Sequence, residues 1–350
     1  MFKAVMKTPW ILFGLLGCIS IWGQTVHKSP EEIQQELDEA EEQLRRAEEM
    51  FDPWYTGPLV TPSASMMPPG YANTQGYLFF TQDYAAFNED RKSVSFANDS
   101  YNLNPYNSLQ IGVTDSVDTN LVLQTQTNWF KGDSAGGFGD LQANIGFKIQ
   151  GETLYVPKMK FTIQETFPTG TYQHLRPDGL DAAGKGAYTT SFSFAMTKIM
   201  FWSTPHPMNT RLAMAYKIST PVKVHGFNSY GGGYGTHGTV HPGNQFTADL
   251  GIEVSFDQHW VLANDFVYVA TNKTKFHGYP GVTSTGTPAT VGSGFSDTFS
   301  LAPAIEYNWS GNFGMLAGVQ FSVYGRNSTN FISTIISITY GFPVGPWKKS

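Results

Sequence analysis

The stretch Gln245-Phe246-Thr247-Ala248-Asp249-Leu250-Gly251-Ile252-Glu253-Val254-Ser255-Phe256 changes character at every step. Side chains of an extended strand point alternately to its two faces, so this segment carries one apolar face and one polar face. Phe299, Leu301, Pro303, Ile305, Tyr307 and Trp309 repeat the pattern against Ser300, Ala302, Ala304, Glu306 and Asn308. Outward from these two segments, taken as 244–256 and 297–309, similar ones recur at 76–87, 106–116, 119–130, 139–150, 158–167, 187–202, 210–221, 259–270, 312–324 and 330–342. The pattern is less clean in 259–270, where Asn264 falls on the apolar register and Asp265 on the other. The total is twelve, and an even number of antiparallel strands closes into a barrel without a free edge. Short turns such as Asp257-Gln258 and Ser310-Gly311 follow every second strand, while the connections after the first, fifth, seventh and ninth are long. That asymmetry predicts an outer-membrane barrel with both termini on the periplasmic, short-turn side. The fold class is therefore all-β: an antiparallel transmembrane β-barrel over residues 76–342, with a short helix before it.

Composition agrees. Of 350 residues, 14% are charged and 15% aromatic, whereas a soluble domain carries roughly 25% charge. Beyond residue 25 no apolar run reaches the ~18 residues that a spanning helix needs, which excludes a helical membrane protein. A lipocalin or β-sandwich turns its apolar face inward and rarely needs twelve long strands with aromatic ends. Here the aromatics gather near strand ends: Phe201, Trp202, Trp260, Trp309, Tyr340 and Phe342 toward the short turns, and Trp129, Phe130, Tyr188, Tyr268 and Phe331 toward the long loops. They read as two interfacial girdles.

The polar faces define a candidate pore lining of Gln110, Gln124, Gln126, Asn128, Gln142, Asn144, Lys148, Lys160, Gln164, Lys217, Asp249, Glu253, Glu306 and Gln320. Lysines 148, 160 and 217 against Asp249, Glu253 and Glu306 predict a transverse field across the lumen.

Four segments flank the barrel. Lys3 and Lys7 precede an apolar stretch from Pro9 to Trp22, then Gly23, Gln24 and Thr25; residues 1–23 read as a secretory signal peptide. Leu15-Leu16-Gly17-Cys18 offers lipoprotein processing as the alternative. Cys18 is the one cysteine of the chain, so no disulfide framework or zinc-thiolate site is available. Residues 29–52 carry ten acidic and two basic side chains. Ser29-Pro30-Glu31-Glu32 is a capping box, and Ile33, Leu37, Ala40, Leu44, Ala47 and Phe51 form a stripe at coiled-coil spacing. Ile33, Leu37, Leu44 and Phe51 are the candidate helix interface, for a homo-oligomer or another partner; a solvated helix is the other reading. Residues 53–75, rich in Pro, Ser, Gly and Met, read as a linker that also has the option of folding inward as a plug. Residues 343–350 form a C-terminal tail.

Three short motifs, Gly136-Gly137-Phe138-Gly139-Asp140-Leu141, Phe167-Pro168-Thr169-Gly170 and Gly184-Lys185-Gly186, resemble the outer-membrane transporter family named for the phenol-degradation meta-pathway. The resemblance spans about residues 76–342 and implies a bacterial outer-membrane barrel that passes small, hydrophobic molecules. Glycine and proline there serve backbone geometry, and the family brings no catalytic residues with it. The ending Ile338-Thr339-Tyr340-Gly341-Phe342 resembles the signal read by barrel-assembly machinery, although eight residues follow it.

His174 with Asp178 and Asp181 imitates part of a rim protease, but proximity in one loop is weak support for catalysis, and no catalytic set is expected. His225, His237 and His241 lie in a glycine-rich loop. Three imidazoles suit a transition metal, yet a mobile loop without nearby carboxylates loses entropy on ordering, so neither metal nor other cofactor is expected. No basic patch marks nucleic-acid binding. The expectation is a channel for passive passage of small solutes, with outer-membrane lipid, assembly machinery and the solute as partners. The alternative is a plugged structural or adhesive surface barrel whose loops bind.

Overall fold

The computed structural model describes residues 29–48, 53–201 and 204–345. Residues 1–23, Phe51, Trp202 and the end of the tail lie outside them. Two units are described separately.

The first is helix α1 (Pro30–Glu48). Its capping box closes reciprocally: the Glu32 amide donates to Ser29 Oγ at 3.2 Å and the Ser29 amide donates to Glu32 Oε2 at 2.8 Å, satisfying amides that have no intrahelical acceptor. Ile33 and Leu37 are half exposed.

The second unit contains sixteen strands: β1 (Tyr71–Phe87), β2 (Ser93–Thr114), β3 (Val117–Phe130), β4 (Asp133–Phe138), β5 (Leu141–Gln150), β6 (Lys158–Phe167), β7 (Thr189–Met200), β8 (Met208–Ser219), β9 (Val222–His225), β10 (His237–His241), β11 (Gln245–Ser255), β12 (Trp260–Thr271), β13 (Lys275–Tyr279), β14 (Ser296–Ser310), β15 (Phe313–Arg326) and β16 (Ser328–Pro343). Twelve of them close into an antiparallel barrel. β1 pairs with both β2 and β16, β3 returns to β2, and the remaining neighbours follow in chain order once β4, β9, β10 and β13 are set aside. All twelve expected strands are present. β2 begins at Ser93, well before the expected 106, so the first long-end connection is short. Its upper half is interrupted by Asn98-Asp99-Ser100, which breaks the alternation begun by Val94 and Phe96 and resumed by Tyr101 and Leu103.

The outward face is apolar and exposed, with Leu250, Leu262, Ile305, Ile336 and Ile338 on it; the inward face buries Glu253, Asp265 and Glu306 completely. A chain of rings girdles the short-turn end: Trp260 on Tyr307 at 4.7 Å, Tyr307 on Trp309 at 5.0 Å, Trp309 on Phe313 at 4.7 Å, then Tyr340 and Phe342. Leu250 sits mid-strand on the lipid side. Leu250→Arg is expected to cost about 2–4 kcal/mol, as a cation at bilayer mid-depth does, and urea titration of the folded band on gels checks it.

β9, β10 and β13 form a separate three-stranded sheet at the long-loop end. Val222, Val224 and Val240 are its buried face, packed with Ala187, Tyr172, Tyr230 and Phe276. The loop read from sequence as mobile is thus a folded cap.

Candidate functional site

The lumen is built by the inward register of the twelve strands, and its short-turn half is filled. Residues 53–70 enter beside β14, arch to mid-depth and return to the same end, where Pro69 bridges Gly112 and the chain continues into β1. The amides of Thr56 and Gly57 donate to Glu306 Oε2 at 2.9 and 3.4 Å, and Asn308 Nδ2 donates to the Trp54 carbonyl at 3.0 Å. At the top of the arch Asp265 accepts the amides of Val60 and Thr61 at 3.0 and 3.1 Å and also the Thr61 hydroxyl. On the way back Thr197 Oγ1 accepts the Ala64 amide at 3.0 Å, and Asp118 accepts that of Met67 at 3.4 Å. An arch without strand partners needs such acceptors, because buried amides left unpaired are costly.

Packing follows the same path. Leu59, 2% exposed, is surrounded by Ala263, Ala302, Ala304, Leu316 and Ile335. Ala64 meets Ala195 and Ala213. A methyl group at Gly318 would come within 2.7 Å of Leu59 Cδ1, and one at Gly251 within 2.7 Å of Pro58. Small inward residues here make room for the arch.

Two ion pairs stand beneath and beside the arch. Arg211 donates from Nε and Nη2 to the two oxygens of Glu253 at 2.7 and 3.2 Å, with Asn209 on the same carboxylate at 2.7 Å. Lys160 meets Asp118 at 2.8 Å, joined by Gln110. Glu306 Oε1, Asp249 Oδ1 and Asp118 Oδ1 are buried without a hydrogen-bond partner among the described residues.

Above the arch lies an open cavity of about 900 Å³, lined by Asn102, Gln124, Gln126, Asn128, Asp140 and Lys185 among others. Burial pushes the Lys185 ammonium down, while the Asp140 carboxylate opposes the shift. The connection between β6 and β7 folds over this cavity: Gln126 donates to the Ala182 carbonyl at 2.6 Å and Asn128 to that of Leu180 at 2.8 Å. One carboxylate ties the connection down. Asp140 accepts the Gly170 amide at 2.9 Å and the Lys185 amide at 2.8 Å, while Thr169 bridges the Gly139 carbonyl and the Leu141 amide. The three short motifs at 136–141, 167–170 and 184–186 therefore meet at one point. Gly184 is required because a methyl group would come within 2.5 Å of Asp140 Oδ1. Asp140→Ala removes two charge-assisted bonds of about 1.5–3 kcal/mol each. The variant is expected to fold but to expose residues 168–188 to limited proteolysis, with the intact protein resistant there.

Of the fourteen expected lining residues, Gln110 and Lys160 lie at the short-turn end of the lumen on Asp118. Glu253 and Glu306 are buried beside the arch, and Asp249 and Asn144 stand near mid-depth. Gln124, Gln126, Asn128, Gln142, Gln164 and Lys217 occupy the long-loop half, where Gln164 donates to Gln142 at 3.0 Å. Gln320 donates to Ser300 at 2.9 Å. Lys148 is exposed at the short-turn rim, in register with Lys160. Sequence reading missed Arg211, Asp118, Asp265 and Asn209. His174, Asp178 and Asp181 form no catalytic set: Asp178 pairs with Arg176 at 2.7 Å, Asp181 accepts the Arg176 amide at 3.0 Å, and His174 stacks on His225.

The wall has a weak seam between β2 and β3. Pairing of β2 with β3 runs Leu103 to Thr127 and resumes at Tyr106 to Gln124; Pro105, between them, has no N–H to give. β3 also leaves β5 after Val122 and takes β4 as partner only from Thr125. Over this seam lies an outer pocket of about 610 Å³ lined by Leu78, Leu123, Phe138, Ile336 and Ile338, with Tyr77, Tyr106 and Gln124 from the inward register at its floor. Gln124 lines this pocket and the inner cavity alike.

No family model and no curated protein sequence matches the chain. Among solved structures, an outer membrane channel from Pseudomonas putida F1 superposes with a TM-score of 0.63 at 12% identity, covering 81% of this chain and 100% of that one. The fold is that of an outer-membrane β-barrel. More distant are a deletion mutant of the TodX monoaromatic hydrocarbon channel (TM-score 0.37, 11% identity, 79% of this chain and 91% of that one) and the NanC porin (0.36, 9%, 75% and 98%).

Proposed function

We propose that this barrel is a bacterial outer-membrane channel for passive passage of small apolar solutes, which enter the cavity at the long-loop end and leave sideways into lipid. The observation that carries the reading is the contrast within one lumen: the short-turn half is filled by residues 53–70, while the open half lies one residue, Gln124, from an apolar outer pocket. A water-soluble solute would have to pass the arch; an apolar one need only cross the seam beside Pro105. Short turns and both termini face the periplasm in this reading. Among the fourteen lining residues, those of the long-loop half contact solute and those beside the arch secure it. The solved structure that superposes at a TM-score of 0.63 is an outer membrane channel, which supports a barrel without enzymatic activity. The resemblance of the three glycine-containing motifs to the phenol meta-pathway family fits the same substrate class, and residues 1–23 act as the export signal. Outer-membrane lipid surrounds the barrel, and the aromatic-ended β16 is the segment offered to assembly machinery.

The test uses the refolded protein in vesicles and planar bilayers. Transfer of a small aromatic dye into vesicle lipid should be accelerated while ionic conductance stays small. Large, steady ion steps without dye transfer would return the reading to an axial pore. A folded barrel silent in both assays would favour a surface barrel with binding loops. Helix α1 is assigned to self-association: cross-linked oligomer bands should vanish on deletion of residues 29–52, and bands that persist would remove that role.

A further inference from the structure

The cap sheet carries four of the eight histidines of the chain on one side. Its Val222, Val224, Val240 and Phe276 face inward; the alternation of strand side chains then turns His225, His237, His241 and His277 outward, and all four are exposed. His237 stands directly opposite His225 across β9 and β10. A fifth imidazole joins from another connection. The His174 amide donates to the His225 carbonyl at 3.1 Å and the Leu175 amide to that of Phe227 at 3.0 Å, so residues 173–175 run along the open edge of β9. His174 holds a left-handed φ of 55°, and its ring lies parallel to that of His225 with centroids 5.8 Å apart. The result is a row across three adjacent chain segments, His174, His225 and His237, ending on Tyr279, whose ring lies 5.5 Å from that of His237.

We propose that this row binds a divalent transition-metal ion of the copper or zinc class through neighbouring imidazoles. Imidazole suits such ions, with metal–nitrogen distances of about 2.0–2.1 Å. Adjacent segments of a sheet lie about 4.8 Å apart, so two rings on neighbouring segments straddle one ion after small side-chain rotations. No three His, Cys, Asp or Glu side chains converge on one point among the described residues; the row therefore supplies ligands in pairs, His225 being common to both, and water completes the shell. The objection from sequence was the entropy of ordering a loose glycine-rich loop. That cost is already met by folding of the cap, whose backbone is fixed by nine paired positions between β9, β10 and β13. Register sets the choice of pair. His237 stands directly opposite His225, whereas His277 stands opposite Thr239 and is only diagonal to His241, which faces Lys275, so the second imidazole pair, with centroids 5.4 Å apart, has an ammonium directly across the ladder; the nearest ammonium to the His174–His225–His237 row in the cap sheet, Lys223, lies two residues along β9 from His225.

The test titrates Cu²⁺ into the untagged, refolded full chain and reads nitrogen coupling by electron paramagnetic resonance alongside calorimetry. Nitrogen-coupled copper is expected at substoichiometric metal. His225→Asn, which removes the ligand common to both pairs on an exposed position, should weaken binding at least tenfold, whereas His241→Asn should change it less than threefold. Unchanged affinity in His225→Asn, loss confined to His241→Asn, or a spectrum without nitrogen coupling would each overturn the assignment. Gel mobility of the folded band, measured on every variant, separates loss of a ligand from loss of the fold.

Discussion

Asp265→Ala is expected to raise single-channel conductance severalfold in an otherwise folded barrel. Asp265 is the acceptor for two amides and one hydroxyl at the top of the arch. Hydrogen bonds to a charged group are worth about 1.5–3 kcal/mol each. With alanine, the amides of Val60 and Thr61 lose their acceptor inside the barrel but gain water outside it. Losing about 3 kcal/mol moves the ratio of filled to vacated lumen by roughly a hundredfold. The strand pairing of β12 does not depend on this side chain, so the barrel itself should persist. Leu59→Ala acts through packing alone and is expected to shift the same equilibrium in the same direction by about 2–5 kcal/mol. Conductance equal to that of the unaltered protein in both variants, with the folded band intact, would mean that the arch does not control the axial route.

The second large effect concerns the seam. Pro105→Cys with Thr125→Cys places thiols at facing positions of the interrupted β2–β3 ladder, bracketed by the intact pairs Leu103–Thr127 and Tyr106–Gln124. With Cys18, the chain's one native cysteine, replaced by serine, the engineered thiols are the one pair that can oxidise, and facing positions of an antiparallel ladder lie about 4.5–5.5 Å apart at Cα, within the ~4.4–6.8 Å that a disulfide requires. Oxidation should slow dye transfer into lipid at least tenfold, and reduction should restore it, with ion conductance unaffected throughout. Equal dye transfer in the oxidised and reduced forms would remove the sideways route.

The strands were legible because two-residue alternation is a strong signal wherever one face meets lipid, as in 245–256 and 299–309. It breaks at Asn98-Asp99-Ser100, which is why the upper half of β2 escaped notice, and β9, β10 and β13, four or five residues each, are too short to show it and so read as a loop. Asp265 falls on the inward register of a strand whose pattern is broken at Asn264, but its partners lie some two hundred positions away in a segment with no periodicity. A signal for the arch was nevertheless present. Ala195, Ala213, Gly251, Ala263, Ala302, Ala304 and Gly318 all fall on the inward register, and a run of small residues facing a lumen means that another part of the chain supplies the volume. The three glycine motifs were read as turn geometry; their shared anchor, Asp140, needed the fold to bring 140, 170 and 185 together.

The arch of residues 53–70 begins and ends at the same mouth. It therefore never has to be threaded, and the barrel can zip shut along β1 and β16 before the arch goes in. The path of removal is equally simple. Tension applied upstream of Pro53 would meet the contacts one after another, Trp54 on Asn308 first, then Thr56 on Glu306, then Leu59, then Asp265, rather than all at once. Contacts loaded in series peel at far lower force than contacts sheared together, so a modest pull from the short-turn side is enough to draw this stopper while the wall around it stays closed.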